Sequence, residues 1–122
     1  MKTINFKGKH HRVFTVKFDY GEENLILTEE RYCEPETLAV QAWCVENGIV
    51  TEPFATLTVN LDGWTGLGLQ SESKAYLDSN NCPWAVAFLS DNDLIRYAGT
   101  LTPSGFCIFP LYEWDTKKFY AE

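Results

Sequence analysis

Residues 78–89 read DSNNCPWAVAFL, and they decide the fold expected for this chain. Asp78, Ser79, Asn80 and Asn81 carry side chains that accept hydrogen bonds from the orphan donors at a helix N-terminus. Pro83 suits the first helical position, where its missing N–H is no loss. Trp84 and Phe88 are four apart, as are Ala85 and Leu89, so both pairs fall on one apolar face. Asp91, Asn92 and Asp93 end the pattern. A helix is expected here, with strands on either side that pack against it.

Upstream, RVFTVKFDY at 12–20 alternates, and Phe14, Val16, Phe18 and Tyr20 share a face. The preceding His10 and His11 point to opposite faces of such a strand and are expected at the surface. Leu25–Leu27 begins a second strand. Glu29, Glu30, Glu34 and Glu36 then crowd Arg31 in an acidic edge or loop closed by Pro35.

Asn47–Gly48 marks the clearest hairpin, between Leu38–Glu46 and Ile49–Leu61. With Glu46 opposite Ile49, an unbroken register sets Val40 against Ala55 and Leu38 against Leu57. A helix over 37–46 is the competing assignment. Residues 62–73, DGWTGLGLQSES, form a loop whose Trp64, Leu67 and Leu69 are expected to fold back over the core. Ala75–Leu77 is a short strand. The turn Thr102-Pro103-Ser104-Gly105 joins Ile95–Thr102 to Gly105–Tyr112, which sets Thr102 against Phe106 and puts Tyr97, Leu101, Cys107, Phe109 and Leu111 on one face.

These elements predict an α+β fold. It is a twisted, mainly antiparallel sheet of five to seven strands with one principal helix packed on one face, in a single domain over residues 1–122.

Composition narrows the function less than the fold. Eight Phe, six Tyr and four Trp exclude a disordered chain. The net charge of −7 is uneven: Lys2, Lys7, Lys9, Arg12 and Lys17 against Asp19 give residues 1–20 a charge of +4, and the rest carries −11. An acidic body argues against nucleic-acid binding. No apolar run reaches a membrane span, and the first residues hold no signal-peptide core, so a cytoplasmic location is expected. Cys33, Cys44, Cys82 and Cys107 lie far apart, with no zinc-ligand spacing, and are expected as buried free thiols. No cofactor or metal is expected.

Two groups could carry chemistry. Asn60, Asp78, Asn80 and Asn81 offer oxygen ligands for a cation or a small polar ligand if the strand end and helix start meet. Cys82, at the expected helix N-terminus, is the candidate thiol nucleophile. Capping explains the asparagines without a ligand, and a structural thiol explains Cys82. Trp64, in its glycine-rich loop, is a candidate interaction residue.

PFATLTVNL at 53–61, DSNNCPWAVAFL at 78–89 and SGFCIFPLYEW at 104–114 together resemble a family of small uncharacterised proteins, a domain of unknown function often encoded on mobile elements of gut-dwelling bacteria. The resemblance covers roughly the C-terminal two thirds of the chain. It implies a strand–strand–helix–strand order and a bacterial cytoplasmic setting, and it brings no catalytic residues. The expected function is a non-enzymatic accessory or interaction module of a mobile element, acting on a protein partner through exposed aromatics and an acidic body. The alternatives are an acidic DNA mimic that inhibits a host defence nuclease, and a small enzyme using Cys82 or the Asp78–Asn81 cluster.

Overall fold

The computed structural model describes residues 2–33 and 36–121. The acidic loop expected through Glu34 and closed by Pro35 lies outside the described residues.

Strands hold 56% of the described residues and helices 13%, and the strands divide into three sheets. The fold is therefore mostly β, and not an α+β sheet of five to seven strands under a principal helix. Strands β1 (Thr3–Phe6) and β2 (Lys9–Arg12) form a hairpin. Strands β3 (Phe14–Phe18), β4 (Gly21–Arg31), β5 (Leu38–Glu46) and β6 (Ile49–Thr56) form a four-stranded antiparallel sheet in chain order. The second four-stranded sheet has the order β7-β8-β10-β9, from β7 (Thr58–Val59), β8 (Lys74–Leu77), β9 (Ile95–Ser104) and β10 (Cys107–Trp114). A single turn of helix, α1 (Asp62–Thr65), follows β7. Helix α2 is seven residues, Ala85–Asp91, and a 3-10 turn spans Thr116–Phe119. No helix among the described residues is long and apolar enough to cross a membrane.

The helix is short because the polar run before it makes turns instead of a cap. The Asp78 carboxylate accepts from the Asn81 N–H at 3.2 Å and from Asn81 Nδ2 at 3.0 Å. The helix proper begins only at Ala85, and the side chain of Trp84 before it makes no cap hydrogen bond.

The main core lies between the two large sheets and α2. It gathers Phe14, Val16, Leu25, Leu27, Val40 and Ala42 from the first sheet, Ala75, Leu77 and Trp114 from the second, and Ala85, Phe88 and Leu89 from α2. Tyr76, Phe109 and Leu111 point to the other face of the second sheet and meet Leu61 in a separate cluster.

Both predicted hairpins form, with altered registers. At Asn47–Gly48 both residues have positive φ, 52° and 76°, as a type I′ turn requires. The strand pairing of Leu38–Glu46 on both sides excludes a helix over 37–46. Glu46 faces Ile49 as expected, but two irregularities shift the pairing, so Ala42 faces Ala55 and Gln41 faces Thr56. In the last hairpin the turn is at Gly105–Phe106, with Gly105 at φ 62°. Pro103 belongs to β9, an edge strand, where a missing N–H is tolerated. Phe109 therefore faces Thr102, and Leu101 faces Pro110. The register differs from the expected one by three residues, and an odd slip turns one strand's side chains over. Tyr97 and Leu101 thus lie on the face opposite Cys107, Phe109 and Leu111.

Candidate functional site: an uncharged hairpin face

Alternation along β10 puts Ile108, Pro110, Tyr112 and Trp114 on one face. Their cross-strand partners on β9 are Pro103, Leu101, Tyr97 and Ile95. At the base of the hairpin this face is core: Trp114 is buried, its indole N–H donates to the Ala75 carbonyl at 3.1 Å, and Tyr112 packs alongside. Towards the tip nothing among the described residues covers it. Leu101 is 60% exposed, Ile108 61%, and Phe106 stands fully in water at the turn. Tyr97 is half exposed, with its ring 5.9 Å from that of Tyr112.

The opposite face anchors the hairpin. Phe109 and Leu111 are buried on Tyr76, whose hydroxyl shares a 2.9 Å hydrogen bond with Thr102 Oγ1. The exposed face is thus held on a fixed support. From Tyr97 to Tyr112 the sequence contains no charged residue, in a chain of net charge −7. A free edge strand in a natural sheet is ordinarily guarded by charged side chains, and beyond Arg96 at its base β9 has only Pro103 and the irregularity at Ala98–Gly99.

The residues singled out in the sequence fall into separate places. Asn60 Oδ1 accepts from the Gly63 N–H and from Gln70 Nε2, both at 3.1 Å. Gln70 is the centre of that group: its N–H donates to Asp62 Oδ2 at 2.7 Å, its Oε1 accepts the Asp62 N–H at 2.8 Å, and its Nε2 donates to Thr37 Oγ1 at 2.9 Å. These bonds staple the loop after β7 to the strands. Asp78 and Asn81 close their own turn, with Asn80 exposed beside them. Among the described residues no three His, Cys, Asp or Glu side chains gather as metal ligands do.

Trp64 is 76% exposed and Leu67 also stands in solvent, so the loop does not fold back over the core as expected. Its buried members are Leu61, Asp62 and Gln70. Cys82 is buried, and its Sγ lies 3.7 Å from the Thr56 carbonyl. Burial, reinforced by the Asp78 charge, pushes its thiol from 9.0 up to about 11. A nucleophilic thiol needs the opposite shift. All four cysteines are free; Cys44 is also buried, Cys107 half-buried and Cys33 exposed, so burial holds for two of the four.

A cleft of about 540 Å³ lies at the foot of β9 and β10, lined by Asp93, Arg96, Glu113, Asp115 and Lys118 around Leu94 and Trp114. Lys118 Nζ donates to the Asp93 carbonyl at 3.2 Å and lies 3.6 Å from the Asp115 carboxylate. Its charged groups are of both signs and partly engage one another.

Sequence reasoning missed Leu101, Phe106 and Ile108 as surface residues. The signal was the uncharged run itself, which reads equally as core until the register is known. His11, expected at the surface, is also misplaced by the sequence: it is buried, while His10 is exposed.

A model of a domain of unknown function (DUF4313) matches residues 26–121. No curated protein matches the chain, and no solved structure does.

Proposed function

The chain belongs to the DUF4313 family, a domain of unknown function, and from that premise we propose that it is a non-enzymatic interaction module that docks a protein partner on the exposed face of the β9–β10 hairpin. One observation carries this reading. Leu101, Phe106 and Ile108 are all exposed on a hairpin whose opposite face is buried, without a single charge between Tyr97 and Tyr112. Clustered apolar surface of this kind marks contact sites in water-exposed proteins. Aromatic anchors and depletion of charge are the compositional marks of an interface core. The resemblance to proteins of bacterial mobile elements gives the setting: an accessory protein of such an element, acting in the cytoplasm.

The test is affinity capture from producing cells with the wild-type chain and with a Leu101→Lys, Ile108→Glu double variant. The reading expects a protein retained by the wild type, lost by the variant, and still held when salt is raised to about 1 M, where charge attraction is screened within about 3 Å. Unchanged capture by a variant of wild-type melting temperature overturns it. Capture that collapses with salt but survives the double substitution points instead to the acidic body as a mimic of nucleic acid.

A further inference from the structure

The β1–β2 hairpin carries Lys7, Lys9 and Arg12 and no acid. It is the cationic arm of an acidic chain, and it meets the body at His11. That side chain is 2% exposed. Its Nδ1 lies 3.1 Å from the Leu27 carbonyl of β4, and its Nε2 lies 3.2 Å from the Phe6 carbonyl of β1. The ring sits between Phe6 and Tyr120, with centroids 6.1 and 5.0 Å away. Phe6 in turn rests 5.2 Å from Trp43 of the first sheet. The imidazole is therefore the polar side-chain link between the arm and β4, while the Arg12 guanidinium, donating to the Lys118 carbonyl, and the Ala121 N–H, donating to the His10 carbonyl at 2.9 Å, tie the arm to the C-terminal segment.

We propose that His11 makes docking of this basic hairpin proton-dependent, the arm loosening from the body as the buried ring takes up a proton. A neutral imidazole has one N–H, so it donates to one carbonyl and turns a lone pair to the other. A proton would let it donate to both. Burial of a charge opposes that gain, and so do the neighbouring cations. Lys9 Nζ lies 4.7 Å from the Tyr120 ring centre, and Lys7 Nζ lies 5.4 Å from that of Phe6 and 5.1 Å from that of Trp43. Arg12 stacks on Phe14 and donates to the Lys118 carbonyl. On β4 the nearby carboxylates are already engaged: Glu29 accepts the Tyr120 hydroxyl at 2.8 Å and faces Arg31, and Glu30 accepts from Thr28. No carboxylate hydrogen-bonds the ring among the described residues.

Burial, with Lys9 adding to it, outweighs the two carbonyls and holds the ring's proton affinity below its ordinary 6.5. The sign follows by linkage. The docked ring binds a proton less well than the free one, so docking is fully supported above pH 6.5 and weakens as pH falls through the docked ring's lower value.

Imidazole nitrogen shifts measured by NMR from about pH 8 to about pH 4.5 read the ring directly, and amide protection of residues 3–12, corrected for intrinsic exchange, reads the arm. The expected result is a single ring N–H at neutral pH and a ring midpoint below 6.5. Protection of β1 and β2 should fall by up to about tenfold per pH unit in that window while β8 and β10 stay protected. In His11→Gln the pH dependence should vanish, and in His10→Gln it should persist. A ring midpoint at or above 6.5, or arm protection that holds or rises through the titration, overturns the proposal. If His11→Gln does not fold, the wild-type ring and arm titrations decide alone.

Discussion

Phe88 of α2 and Phe14 of β3 meet edge to face, with ring centroids 5.4 Å apart. Helix α2 therefore docks on the first sheet, and not on Val59, Phe109 or Leu111 of the second. Those three lie in the cluster on the far side of the second sheet. Trp84 stacks on Phe88 and turns its edge to Phe18 and Phe54, at 5.2 and 5.6 Å. Truncating the buried Phe88 to Ala should cost about 3–5 kcal/mol. Trp84 is half-buried, so Trp84→Ala should cost less, about 2 kcal/mol. Urea midpoints of the two variants test the order, and a silent Phe88→Ala would remove α2 from the core.

The turn at Asn47–Gly48 stands open to solvent, and a Cβ at Gly48 would meet nothing within 4 Å. Any loss on substitution there is backbone strain alone. Gly48→Val puts a β-branched residue at φ 76° and should cost about 1–3 kcal/mol. Gly48→Asn, which tolerates positive φ, should lose much less. Equal melting temperatures for the Val and Asn variants would mean that the turn relaxes to another type.

Strands and turns were legible where local chemistry specifies them, as in Phe14–Val16–Phe18 or Asn47–Gly48. The division into sheets was not. A period of two tells which residues share a face and is silent on which sheet owns the strand, so Val59 read as a continuation of Ala55 although the chain changes sheet at Leu57. The expected turn Thr102–Gly105 lies one to two residues early, which slips the register by three, because Pro103 suits a turn, whereas an edge strand accepts it equally. That odd slip hid the exposed face of Leu101 and Ile108. Among the site residues, the Asp78–Asn81 turn was legible as capping chemistry. The bond set of Asn60, Asp62 and Gln70 was not, because it depends on a loop closing over eight residues with no repeating pattern.

Cys82 should behave as an inert thiol. Its folded-state value is raised from 9.0 to about 11, so the neutral thiol contributes stability that is complete below pH 9.0 and is lost as pH rises towards about 11. A thiol dye at about pH 8 should label the exposed Cys33 quickly and Cys82 only once denaturant is added. Cys82→Ala should flatten part of the alkaline loss of stability, with Cys44, Tyr32, Tyr112 and Tyr120, shifted in the same direction, contributing to the remainder. Peptide mapping that finds Cys82 labelled as fast as Cys33 in the native protein would contradict this.

Asp62 is the one side chain whose burial leaves an oxygen without a partner among the described residues: Oδ2 accepts the Gln70 N–H, and Oδ1 accepts nothing. Its two oxygens should therefore be separable by substitution. Asp62→Asn keeps an oxygen for Gln70 and removes a buried charge, at the expense of an unpaired amide, so its stability should lie within about 1 kcal/mol of the wild type or above it. Asp62→Ala deprives Gln70 of its acceptor and should cost about 1–3 kcal/mol. The loop after β7 should loosen with it, since Gln70 also ties Asn60 and Thr37. Trp64 fluorescence would report that loosening poorly, because the ring is already in water, so proteolysis between Gly63 and Leu69 is the better measure. If Asp62→Asn loses as much stability as Asp62→Ala, the negative charge itself is in use. The wild type, and not the Asn variant, should then be stabilised by an added cation such as calcium or magnesium, which a melting-temperature titration would reveal.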